Sequence, residues 1–186
     1  MIARSGYTLL ELLITLAILG VLLQMGLPSL AHLQRGREAD MLMKTLTGHI
    51  ALARSEAATQ GRIVTLCPSR DGVHCGGDWG QGSLLFLDRN GDRVLNQDDR
   101  VLRVRLDETP PGSLRWRAFG NRQALQIDAR GFLLHQSGNF TYCDASGDAR
   151  LNRQLVVNAT GRVRVSRDTD GDDVVEDSRG RPLLCD

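Results

Sequence analysis

Between Arg4 and His32 the chain carries a single charged side chain, Glu11, inside the run Gly6 to Leu30, GYTLLELLITLAILGVLLQMGLPSL. A helix crosses a bilayer with about 20 predominantly apolar residues, so this run is long enough to span one. It is also too long and too uninterrupted to line one wall of a soluble core. Its opening carries as much information as its length: a positive charge at Arg4, a glycine at Gly6, an aromatic at Tyr7, then a carboxylate four residues further on. A carboxylate in a membrane helix costs roughly 2.5–3.5 kcal/mol even on lenient scales, so Glu11 needs a partner, and the sequence places none in the same helix. Two plainer readings compete. One is an ordinary secretory signal, with Arg4 as its basic region and a cut after Ser29-Leu30-Ala31. The other is a plain membrane anchor. Neither gives Glu11 a role.

Taking away a leader and a membrane helix from 186 residues leaves about one ordinary domain of ~150 residues. Lys+Arg 23 against Asp+Glu 22 gives a net charge of +1, which excludes a global field that would hold a polyanion or an acidic ligand. Lys44 is the only lysine, so the cations are arginines, the better residues for bidentate phosphate or carboxylate contacts. The four cysteines, Cys67, Cys75, Cys143 and Cys185, form an even set beyond a membrane signal and are read as disulfides in an oxidising compartment. Three pairings exist. Cys67 and Cys75 flank the turn-forming Pro68-Ser69-Arg70-Asp71-Gly72 and make the natural local pair, leaving Cys143 with Cys185. A metal site from Cys67, His74, Cys75 and Cys143 lacks the short C-x₂₋₄-C spacing of structural zinc.

Beyond Pro28 the helical period continues. Leu42, Leu46, Ile50, Ala53 and Ala57 recur at steps of three and four, and Gly61 supplies a stop. From Arg62 the period becomes two. Strands are expected over 62–66, 83–87, 100–106, 114–118, 123–127, 132–135, 139–143, 154–157 and 162–165, punctuated by Asn90-Gly91, Pro110-Pro111-Gly112 and Gly147-Asp148. In the third, Leu102, Val104 and Leu106 are expected inward and Arg103 and Arg105 outward. A long helix followed by short strands is an α+β plan with antiparallel sheet.

Gly6-Tyr7-Thr8-Leu9-Leu10-Glu11-Leu12 resembles the class III signal of type IV prepilins and type II secretion pseudopilins, with Tyr7 in place of the usual Phe and Pro28 where many pilins carry a kinking proline. The resemblance implies that a prepilin peptidase cuts between Gly6 and Tyr7 and methylates Tyr7. It also implies that Glu11 meets the Tyr7 amine of a neighbouring subunit during assembly. Cys67-Pro68, Cys75, Trp79, Gly82, Phe86-Leu87-Asp88, Asn90-Gly91-Asp92, Val101-Leu102-Arg103, Gly131, Gly138, Cys143 and Gly161-Arg162-Val163-Arg164 are similar in order to the GspH/FimT family of minor pilins and H-type pseudopilins. That likeness implies a type IV pilin-like α+β fold, other pilins as partners and a non-enzymatic role at or near a filament tip. The expected organisation is a leader at 1–6, a transmembrane and assembly helix at 7–30, its amphipathic continuation at 31–61 and a periplasmic β domain at 62–186, held in the bacterial inner membrane before assembly. The tail departs from the pattern through an acidic insertion, Asp168 to Asp177.

Two segments have calcium-loop spacing: Asp88, Asn90, Asp92, Asn96, Asp99, and Asp168, Asp170, Asp172, Glu176. Both lack glycine at the sixth position, where Arg93 and Asp173 stand, so they are read as hairpin turns, with no metal and no cofactor expected. His32, His49, His74 and His135 are scattered and no nucleophile motif occurs, so no enzyme is expected. What remains are arginines. Arg103 and Arg105 would join Arg115 and Arg117 in one patch if their strands paired across Pro110-Pro111, and Arg162 and Arg164 form a smaller edge. The likeness of the last pair to DNA-binding FimT-type pilins makes DNA a candidate partner, against the plainer reading of a solvated face. The functional alternative is a periplasmic or anchored ligand-binding domain behind an ordinary signal.

Overall fold

The computed structural model describes residues 8–106, 109–118, 120, 123–134, 137–177 and 179–185, with the side chains of 22–29 outside that description. The chain divides into two compact units, the first ending at Arg37 and the second beginning at Glu38. One helix, α1 (Leu9–Gln60), contributes to both. It ends where the sequence places a stop: Gly61 takes φ +62°, and the Arg62 N–H donates to the Ala57 carbonyl at 3.3 Å. This is the six-to-one bond of a Schellman cap, which glycine adopts without a Cβ clash.

Among the described residues eight strands follow: β1 (Ile63–Pro68), β2 (Ser83–Asp88), β3 (Arg100–Arg105), β4 (Gly112–Ala118), β5 (Leu125–Ile127), β6 (Gly138–Asp144), β7 (Arg153–Val157) and β8 (Val163–Val165). They form two antiparallel sheets, ordered β3-β2-β1-β5 and β4-β6-β7-β8. The stripe Leu42, Leu46, Ile50, Ala53 and Ala57 is buried against Val64, Leu66, Leu85 and Ile127 of the first sheet and Trp116, Phe140 and Leu155 of the second, in one contiguous core. Small alanines late in the stripe let the strands come close. Phe140 anchors the second sheet, its ring 4.8 Å from Trp79 edge-on and 4.6 Å from Trp116. The first sheet is covered on both faces. Cys67, Leu84 and Phe86 point away from α1 into a smaller cluster with Cys75, Leu95 and Ala124, which is why β2 is buried along its whole length.

Two expectations fail at β3. Arg105, expected outward, is buried, whereas Val104 and Leu106, expected inward, are exposed. The cause is a register shift opposite Leu85 and Phe86: Leu85 pairs with Arg103 but Phe86 with Val101, so Leu102 is an extra residue that packs on the core. A one-residue bulge exchanges the faces of the alternation beyond it. Nor do β3 and β4 pair across Pro110-Pro111; they lie in different sheets, so Arg103 and Arg105 make no common patch with Arg115 and Arg117. The expected strand at 132–135 is reduced to one bridge, Leu133 to Ile127, and His135 lies outside the described residues.

Candidate functional site

Gly6 and Tyr7 and the side chain of Pro28 lie outside the described residues, but the start of α1 does not. The Thr8 hydroxyl accepts the Glu11 N–H at 3.2 Å, and the Glu11 carboxylate accepts the Thr8 N–H at 3.3 Å. This is a reciprocal capping box, with threonine at the cap and glutamate three residues on. It corrects the expectation that Glu11 has no partner in its own helix: an N-terminal turn carries donors that no upstream carbonyl can satisfy. Downstream, Leu9, Leu10, Leu12, Leu13, Ile14, Leu16, Ile18, Leu19 and Val21 are each more than half exposed. Among the described residues no helix is long and apolar enough to cross a membrane; the run at 7–30 is described with side chains only at 8–21 and 30.

The second candidate surface is the outer face of the β4-β6-β7-β8 sheet. Register places Arg117 beside Asn139, Asn139 beside Val156 and Val156 beside Arg164, in one row across all four strands. The next row begins Arg115, Thr141, Gln154. Trp116, Phe140 and Leu155, one residue along each strand, face the core, so the alternation that buries them turns these arginines outward. Arg162 continues the edge, the Asn158 N–H donating to its carbonyl at 3.0 Å.

Over part of this face runs the C-terminal segment. The Cys143–Cys185 disulfide pins it, with Cα atoms 5.9 Å apart, and Asn152 Nδ2 donates to the Leu183 carbonyl at 3.1 Å. Between segment and sheet lies a cavity of about 380 Å³ lined by Arg115, Arg117, Arg179 and Arg181, with Asp177 as its acid. Asp177 accepts the Arg181 guanidinium at 2.8 Å and the backbone N–H groups of Arg181 and Arg179. Those bonds, the guanidinium first, hold its carboxyl down at about 2. A neighbouring cavity of about 610 Å³ is lined by Arg162, Arg164 and Arg167 together with Glu176, and shares Asp177. The sequence hints at this through its period-two Arg-x-Arg pairs at 115, 162 and 179, but no local signal says that three such pairs share a face.

Arg103 and Arg105 stand elsewhere. They lie on the α1 side of β3, where their charges, after burial itself, push His49 below its ordinary value. Arg105 donates to the Trp79 carbonyl at 2.6 Å. Arg105, buried and engaged, is therefore not accessible as the DNA contact expected of it. Cys67 is bonded to Cys75, Cα atoms 5.5 Å apart, and His74 pairs with Asp71, so the cysteine–histidine metal set does not form.

The two acidic loops share a backbone. Arg93 and Asp173 both take φ 66° at the position where glycine was missed, and Asp88 and Asp168 each accept N–H groups three and five residues on. In the first loop the amides of Asn90 and Asn96 donate to Asp92, and Gln126 donates to Asp88, so the turn satisfies itself. In the second, ligand atoms of Asp168, Asp170, Asp172 and Glu176 lie within 4.8 Å of one another. The Asp172 N–H lowers Asp170, but desolvation and the charges of Asp172, Glu176 and Asp168 outweigh it and leave Asp170 raised. Among the described residues these four oxygen donors are the group that could hold a metal ion, of the calcium or magnesium type.

Residues 43–161 match the model of the type II transport protein GspH, and residues 1–23 match the prokaryotic N-terminal methylation motif. The pilin-like protein PilA1 of Thermus thermophilus is 33% identical over 172 residues, 87% of this chain and 98% of that protein. Two crystal structures of the Pseudomonas aeruginosa type IV minor pilin FimU, each 22% identical, share the fold. One covers 80% of this chain and 96% of the crystallised chain at a TM-score of 0.54, the other 69% and 92% at 0.51. The GspH match runs from the buried half of α1 through the first sheet and as far as β7 of the second, and the methylation motif overlies the helix start that Thr8 and Glu11 cap; this chain belongs to the GspH family of type IV pilin-like proteins.

Proposed function

We propose that the chain is a minor pilin or pseudopilin subunit held in the bacterial inner membrane by residues 7–30, with the β domain at 62–186 on the periplasmic side. A prepilin peptidase cuts it between Gly6 and Tyr7. It then joins other pilins at or near the tip of a type IV pilus or type II secretion pseudopilus and supports filament initiation. The observation that carries this reading is the exposed apolar stretch from Leu9 to Val21. Contiguous apolar surface of this kind marks contact with lipid or protein, here the bilayer before assembly and neighbouring helices after it. The role is structural, with no catalytic residue assigned. Within a filament the Glu11 charge meets the Tyr7 amine of a neighbour. Mass analysis of the mature N-terminus tests this: a methylated Tyr7 start supports assembly, and a start at His32 replaces it with an ordinary signal on a periplasmic ligand-binding domain.

A second reading, weak DNA binding, is favoured by the outward pairs Arg162, Arg164 and Arg115, Arg117 on one sheet face. With a net charge of +1, binding rests on a few local phosphate contacts and carries no sequence preference. Full-length protein in detergent, titrated with duplex DNA at low salt, tests it; no binding there leaves other pilins as its macromolecular partners.

A further inference from the structure

We propose that Arg54, on α1, is a positioning residue for the Arg162–Arg164 edge: it seats the turn between β7 and β8 against the connection between β5 and β6, and so sets where Arg162 meets a phosphate. This rests on the DNA reading above and names what holds its contact in place.

The turn ties Arg162 down from within. Asn158 Oδ1 accepts the Arg162 N–H at 2.9 Å, the Asn158 N–H donates to the Arg162 carbonyl at 3.0 Å, and the Gly161 N–H donates to the Asn158 carbonyl at 2.9 Å. Both backbone groups of Arg162 are therefore held by one residue, and Arg164 follows in register opposite Val156. β8 is an edge strand of three residues, so its own ladder is short. An outside contact has to set the angle at which the turn leaves the sheet.

That contact is built on one carbonyl. The Leu133 N–H donates to the Ala159 carbonyl at 2.9 Å, which lays the two connections side by side. Gly161, buried and at φ +73°, then comes so near the Gly131 carbonyl that a Cβ at this position would overlap its oxygen. The same Cβ would stand 2.8 Å from Arg54 Nε and 2.9 Å from Arg54 Cδ, so only glycine fits between them. Arg54 Nε donates to that Gly131 carbonyl at 3.2 Å. Gly131 and Gly161, far apart in sequence, are thus two halves of one joint, with Arg54 as its pin. Asp128, the acid of the β5–β6 connection, is taken by Arg130 at 2.7 Å, and Arg54 turns to the carbonyl instead. A hydrogen bond from a charged donor is stronger than a neutral one, which suits a pin. A backbone ordered before the ligand arrives lowers the cost of binding, so fixing Arg162 favours its phosphate contact.

The test uses full-length protein in detergent with a fluorescent duplex oligonucleotide, its anisotropy followed over a range of salt. Each phosphate contact contributes about −0.9 to the log–log salt slope. Arg54→Ala is expected to weaken binding several-fold and flatten the slope by about one unit, as Arg162 leaves its phosphate. Arg54→Gln carries its amide nitrogen where Nε stood, bonded to Cδ, so it keeps the donor without the charge and is expected to bind as wild type does. Equal losses in both variants would make Arg54 a phosphate contact through its charge and overturn the positioning role. Wild-type affinity and slope in Arg54→Ala, with a lowered melting temperature or without, would leave a purely structural bond and overturn it as well. Added to Arg162→Gln, Arg54→Ala is expected to flatten the slope no further, because it acts through Arg162; a further unit lost there contradicts the proposal and leaves the DNA reading standing. No binding by wild type removes both.

Discussion

The Glu11 carboxylate accepts the backbone N–H of Thr8 at 3.3 Å while the Thr8 hydroxyl accepts that of Glu11 at 3.2 Å, so the helix closes its own first turn. Two roles of Glu11, cap and charge, can be separated. Glu11→Gln keeps an acceptor for the Thr8 N–H and removes the charge; Glu11→Ala removes both and leaves only the Thr8 hydroxyl half of the box. Both variants are expected to insert into the membrane as well as wild type or better, and both to fall in filament incorporation, read by immunoblot of sheared filaments. Wild-type incorporation of Glu11→Gln would show that assembly uses the cap and not the charge.

The two disulfides close loops of very different length, with sequence separations of 8 and 42. Chain entropy gives about 2–3 kcal/mol for the first and about 4 kcal/mol for the second. Replacing Cys143 and Cys185 by alanine is therefore expected to lower the denaturation midpoint more than replacing Cys67 and Cys75. Buried Cys67 works against that ordering, because its removal also leaves a void beside Phe86. Urea titration of the two double variants decides which effect wins.

His49 makes stability depend on pH. Burial first, then the charges of Arg105 and Arg103, lower its value in the folded protein, so the folded imidazole stays neutral where the unfolded one takes up a proton near pH ~6.5. The contribution is full above that pH and is lost as pH falls through it towards the folded value. Wild type is expected to show a urea midpoint that declines from pH 7.5 to 5 more steeply than His49→Leu. Asp177, at about 2, titrates below this window and does not blur the comparison. Parallel profiles for the two proteins would remove His49 as the cause.

Arg105 and Arg103 are neighbours on β3 with unequal roles. Arg105 is buried and donates to the Trp79 carbonyl at 2.6 Å, whereas Arg103 is exposed. Arg105→Ala is expected to cost about 2–3 kcal/mol, the range for a charged hydrogen bond whose acceptor is left buried. Arg103→Gln is expected to stay within about 0.5 kcal/mol. Neither should alter oligonucleotide affinity. A loss of affinity in Arg103→Gln with unchanged stability would move the DNA contact to the first sheet.

Much of this protein follows from interactions between residues two to five positions apart, and those are legible in a sequence. The stripe from Leu42 to Ala57 and the stop at Gly61 set the end of α1, because helical packing and its cap are local. The turn residues between Cys67 and Cys75 put those thiols within bonding reach, and with one pair closed only one other remained. Even the Thr8–Glu11 box stands in the sequence as Thr-x-x-Glu, a pattern set within one helical turn. Tertiary structure alone decided which strands became neighbours. Sheet order is a choice among long-range hydrogen-bonding partners of similar local strength, so β4 found β6 instead of β3, and Arg115 and Arg117 came to share a face with Arg162 and Arg164. The bulge at Leu102 belongs to the same class. One extra residue opposite Leu85 and Phe86 leaves no mark in the alternation of β3 itself, yet it turned Arg105 into the protein and Val104 out of it.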